Sequence, residues 1–157
     1  MRILLIILAL TICSLSIAKE GMYACPVSAS GYAELVKENK PGGEGFMERD
    51  ICYYELLNRA RSASDADLTA DILNLNIHLG ASGSESYYEF VEKLAINQPR
   101  TLLDALSRVD PQKILRVFEI LDDPLVSKRK DIERSLLRYK NNEKYRVLLS
   151  IYFEMQN

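Results

Sequence analysis

The sequence predicts an all-α protein, a compact bundle or short array of about seven to eight antiparallel helices. Three observations lead there. Apolar residues recur at spacings of three and four, the stripe a half-buried helix needs. Short polar, Gly- or Pro-containing breaks separate the stripes. No stretch alternates apolar and polar residues long enough for a strand, and there is no hairpin signal.

Residues 1–18 stand apart from the fold. Met1-Arg2 is a short basic start, Ile3 to Ile12 is almost purely aliphatic, and Ser16-Ile17-Ala18 places small residues where a leader is cleaved. This is the pattern of a secretory signal peptide. The uncharged run is shorter than the roughly 20 residues of a spanning helix. Lipidation at Cys13 is disfavoured because the bulky Ile12 precedes it. Residues 19–157 are then expected to form one all-α domain, exported, and periplasmic if the source is Gram-negative. Two cysteines remain in it, Cys25 and Cys52. An even count in an exported chain predicts a disulfide. Closing that loop is worth about 3–4 kcal/mol in the chain-entropy model.

In chain order, Lys19 to Ser30 reads as an irregular arm. Tyr32, Leu35 and Val36 mark a short helix ending near Asn39, and Lys40-Pro41-Gly42-Gly43 stops it. Phe46 to Arg61 is the first long helix, with Met47, Ile51, Tyr54 and Leu57 expected as its buried stripe. Ser64 is the expected cap of the next, which carries Leu68, Ile72, Leu75 and Leu79. Ser84 caps a fourth, with Tyr88, Val91, Leu94 and Ala95 inward.

Pro99, Pro111 and Pro124 then follow at nearly regular intervals, each after a polar residue and before an apolar run. Proline suits the first helical position, where its missing N–H has no intrahelical partner. Three more helices are therefore expected to start at these prolines. Leu102, Leu103 and Leu106 face inward on the first; Ile114, Leu115, Phe118 and Leu121 on the second; Ile132, Leu136 and Tyr139 on the third. Asn141-Asn142 breaks the last from a final helix with Tyr145, Leu148, Leu149 and Tyr152. Over roughly 84–140 the rhythm loosely resembles a HEAT-type array of helical hairpins. The resemblance implies stacked hairpins; no repeat consensus accompanies it, and a closed bundle satisfies the same pattern.

No catalytic constellation is legible. His78 is the single histidine, near a helix end, which disfavours multi-histidine zinc sites and reads as structural. Asp65, Asp67 and Asp71 lack the glycine turn and further ligands of a calcium loop, so helix capping accounts for them. Asp122-Asp123-Pro124 reads as another cap. Ser82-Gly83-Ser84 is no nucleophile elbow, and Gly42-Gly43-Glu44-Gly45 lacks the lysine of a phosphate loop. No catalytic residue, metal site or cofactor is expected. Of the paired tyrosines, Tyr53-Tyr54 and Tyr87-Tyr88, one of each is expected inside and one near the surface.

Charge is the remaining signal. Residues 19–123 carry net −7, whereas 124–146 carry eight basic against three acidic residues, net +5. Lys130, Arg134 and Arg138 fall at i, i+4 and i+8 and form the candidate interaction ridge. The alternative is a solvated face paired with the acidic half. The expected function is an exported helical binding protein: an inhibitor, immunity-type protein, adaptor or assembly factor. Its expected partner is a protein, an acidic one in particular, with a membrane surface as second candidate and nucleic acid disfavoured by the negative total. The rival expectation is a small carboxylate-dependent hydrolase acting on glycans, and a membrane-surface structural protein is the third.

Overall fold

A computed structural model describes residues 25–38, 46–75 and 81–155. The leader, the start of the arm, the Gly42–Gly45 connector and His78 lie outside them. Among the described residues every regular element is a helix: α1 Ala29–Glu38, α2 Phe46–Ala63, α3 Ala66–Asn74, α4 Ala81–Asn97, α5 Pro99–Leu106, α6 Pro111–Asp122, α7 Arg129–Leu137 and α8 Arg146–Glu154. No described helix is long and apolar enough to cross a membrane.

The N-terminal helix and the arm before it are tied to α2 twice. Cys25 is bridged to Cys52 on α2. Tyr32 stacks on Tyr53 with ring centroids 5.2 Å apart. Ser28 accepts a hydrogen bond from the Gly31 N–H at 3.1 Å, opening α1 slightly earlier than its apolar stripe suggests. A β-carbon at Gly31 would meet the Pro26 side chain at 3.0 Å, so glycine permits the arm to lie close on the helix.

On α2 the buried stripe is Arg49, Cys52, Tyr53, Leu56, Leu57 and Ala60. Ile51 and Tyr54, expected inside, are exposed. The disulfide and Tyr53 turn the helix: Tyr53 is 3% exposed and Tyr54 55%. Ser64 does not cap α3. It has φ 50°, and Asp65 N–H reaches the Ala60 carbonyl while Ser64 N–H reaches that of Arg61. That double bond is the Schellman end of α2. Asp65 caps α3 instead, accepting from the Asp67 and Leu68 N–H groups at 2.9 Å each.

α4 begins at Ala81, three residues before the expected cap at Ser84. It is the central helix. It contacts α2, α5, α6 and α7, and buries Phe90, Val91, Leu94 and Ala95. Four helices surround this one, a packing that suits a compact helical bundle or a short array. Pro99 and Pro111 stand at the first positions of α5 and α6, as expected. Gln98 donates its side-chain N–H to the Arg61 carbonyl at 2.8 Å, so the α4–α5 junction also closes the end of α2. Asn74, at the end of α3, accepts from the Asp110 N–H at 3.2 Å and clasps the α5–α6 turn.

Pro124 departs from the pattern. α7 starts only at Arg129, leaving 124–128 as a loop. On α6, Leu115 is 44% exposed rather than inward; Val117, Phe118, Ile120 and Leu121 are buried. The core closes on α8, where Tyr152 stacks on Phe118 at 5.3 Å and Tyr145 donates to Asp104 at 2.6 Å. Burial opposes ionisation of the Asp104 carboxyl, but hydrogen bonds from Lys144 and Tyr145 outweigh it and hold its pKa below the ordinary value.

Candidate interaction surface

Among the described residues Glu92 is a carboxylate buried in the core. It lies on α4 between the buried Val91 and Leu94 and is itself 0% exposed. A buried carboxylate demands hydrogen-bond donors, because stripping water from it is costly. The donors are three consecutive backbone N–H groups from the loop after Pro124. Leu125 donates to Oε1 at 2.7 Å, Val126 to Oε2 at 3.0 Å and Ser127 to Oε2 at 2.6 Å. Successive N–H groups converging on one anion form a small nest. Here the anion belongs to the protein's own central helix.

This arrangement fixes the loop backbone inward and its side chains outward. Leu125 is 64% and Val126 57% exposed, two aliphatic residues side by side at the tip. Beside them an open groove of about 270 Å³ runs between α4 and α6. Tyr88, Ile120 and Leu125 supply its apolar lining, and Arg116, Glu119 and Asp123 its charge. Tyr87, next to Tyr88, is half-buried; burial pushes its hydroxyl pKa up to about 12 although the Arg116 charge opposes the shift.

The basic segment begins where the tip ends. Arg129 is held by Asp122 and Glu133, both at 2.8 Å. The Glu133 hydrogen bond, aided by the Asp122 charge, raises its pKa against the opposing effect of burial. Lys144 is bound to Asp104, and Lys140 lies over the Phe153 ring at 5.5 Å. Of the sequence-predicted ridge, Lys130, Arg134 and Arg138 are all exposed. Arg134 pairs with Asp131 on its own helix at 3.1 Å. Lys128, Lys130 and Arg138 have no carboxylate within 4 Å among the described residues. The basic segment, with the ridge inside it, therefore divides. Arg129, Arg134 and Lys144 serve internal pairs, while Lys128, Lys130 and Arg138 face outward uncompensated.

The acidic group Asp65, Asp67 and Asp71 is dispersed. Asp65 caps α3, Asp67 pairs with Arg108 from the α5–α6 turn, and Asp71 is exposed. Among the described residues no three His, Cys, Asp or Glu side chains gather as metal ligands.

Sequence reasoning missed Glu92, the tip and the groove. The tip had a legible signal: Leu125-Val126 fits no helical stripe and lies one residue before Lys128-Arg129-Lys130. Glu92 had none, since one glutamate in an amphipathic helix ordinarily faces water. No protein-family model, curated protein or solved structure matches this chain.

Proposed function

We propose that this protein is an exported helical binding module that works by docking onto another macromolecule, in the manner of an inhibitor, immunity-type protein, adaptor or assembly factor. The observation that carries the reading is the Leu125–Val126 tip, held outward by three hydrogen bonds to the buried Glu92. The two aliphatic side chains stand side by side, 64% and 57% exposed, on a backbone fixed from behind. Fixing them in advance reduces the ordering cost of docking. The adjoining groove adds Tyr88 and Arg116, residue types favoured as interface anchors. The leader pattern supports export, and the Cys25–Cys52 bridge is compatible with an oxidising compartment.

Carboxylate-only hydrolysis fits the groove less well. Glu119 and Asp123 border it, but both are exposed and come from one end of α6. Such chemistry needs two carboxyl groups flanking the bond to be broken.

The test is affinity capture from the native exported fraction with tagged chain, beside the variant Leu125→Ser/Val126→Ser. Both side chains are exposed, so the variant is expected to fold. A partner held by the parent and lost by the variant is the expected result. Equal retention by both would remove this surface from the function.

A further inference from the structure

We propose that the Leu125–Val126 tip and the unpaired cations of the following segment dock this domain onto an anionic lipid surface. The proposal rests on the outward tip of the docking reading above and takes a lipid surface, in place of a protein, as what the tip meets. Three features favour lipid over an acidic protein.

The first is the state of the loop backbone. A loop entering the boundary between headgroups and acyl chains leaves water behind, and every bare N–H then carries a desolvation penalty. The N–H groups of Leu125, Val126 and Ser127 are already bound to Glu92. The tip can thus shed water without exposing an unsatisfied donor.

The second is composition. Protein interfaces are enriched in aromatic residues and arginine and depleted in lysine. The tip is purely aliphatic and is followed by Lys128 and Lys130, while the Arg129 between them is taken up by Asp122 and Glu133. Lysine stems can lie along an apolar boundary while the ammonium groups stay among the headgroups. On α7, Lys130, Arg134 and Leu137 fall at i, i+4 and i+7 and all three are exposed, Arg134 with its partner Asp131 beside it. That stripe mixes cations with an aliphatic residue in the way interfacial helices do.

The third is charge complementarity. The segment 124–146 carries net +5 against −7 for 19–123. An anionic surface would draw in the basic end and repel the remainder, which orients the domain with the tip leading. Shallow apolar insertion and cationic attraction are each weak alone; stable attachment needs both.

The test uses the chain as purified from the exported fraction, sedimented with vesicles of phosphatidylcholine alone or with added phosphatidylglycerol. Retention is expected on the phosphatidylglycerol vesicles at low salt, with loss at about 0.5 M salt. Replacing Lys128, Lys130 and Arg138 by glutamine should weaken binding about a hundredfold, roughly fivefold per charge. Leu125→Ser/Val126→Ser should weaken it about tenfold with unchanged helical circular dichroism. No retention on the anionic vesicles at low salt overturns the proposal, as does equal retention on phosphatidylcholine or indifference to both variants. If vesicles fail while the tip variant loses a captured protein, lipid is excluded and the docking reading stands. If vesicles fail and no tip-dependent protein is captured, both fall.

Discussion

Asp110-Pro111 and Asp123-Pro124 are the same dipeptide between apolar runs, and the protein builds them differently. At the first, Asp110 accepts from the Gln112 N–H at 3.0 Å and α6 starts at once. The cap is local, two residues away. At the second, the Asp123 side chain makes no hydrogen bond among the described residues. The next three N–H groups turn instead to Glu92, more than 30 residues earlier. The chain bends here to bring these donors onto one carboxylate, and α7 starts only at Arg129. One junction passes the chain from core helix to core helix. The other displays a tip. The same dipeptide opens a helix where its aspartate caps locally, and a loop where the following N–H groups converge on a distant buried carboxylate.

The largest effect to expect is one that dissolves both junctions together. Burial pushes the Tyr32 and Tyr87 hydroxyls up to about 12 and raises that of Tyr53. The unfolded chain releases these protons near pH 10, and the folded chain holds them longer. Stability is therefore complete below about pH 10 and falls as the pH rises toward 12. Urea midpoints across that range should drop, with amide protection lost at both junctions in parallel; a level midpoint would contradict it.

Next is Glu92→Ala. Removing a buried acceptor of three charge-assisted bonds should cost about 3 kcal/mol. Hydrogen exchange should speed up at 125–127 before it does at Gln112. Equal protection at 125–127 in the variant would mean that Glu92 does not hold the loop. Asp110→Ala should cost about 1 kcal/mol as the loss of an ordinary cap, whereas Asp123→Ala should stay within about 0.5 kcal/mol. Thermal melts of the pair check this, and equal losses would erase the distinction between the junctions. The smallest effect belongs to Leu115→Asp. The sequence pattern puts Leu115 inside, where aspartate would unfold the domain; its exposure predicts a change of about 0.5 kcal/mol or less.

Most of the fold was legible because it rests on short-range rules. The prolines at 99 and 111, the breaks and the stripe of α5 follow from local geometry. The disulfide followed from cysteine count and expected compartment. The faces of α2 and α6 were less legible. Ile51, Tyr54 and Leu115 are as apolar as their buried neighbours, and periodicity alone allows a stripe to be set one residue off. For α2, the bridge at Cys52 and the stacking of Tyr53 decide the rotation. The candidate surface was half legible: the basic run was visible, but which cations were already paired was not.

By itself, the sequence determined an all-helical chain, its approximate breaks, the bridged cysteines and the reversal of charge after Pro124. These depend on residues a few positions apart or on composition. Only the tertiary structure decided that α4 is central and that Glu92 is buried. Burial of a charge is a property of everything packed around it. From that burial follows the outward tip at Leu125–Val126, since a carboxylate removed from water must find its donors in the chain that passes nearest.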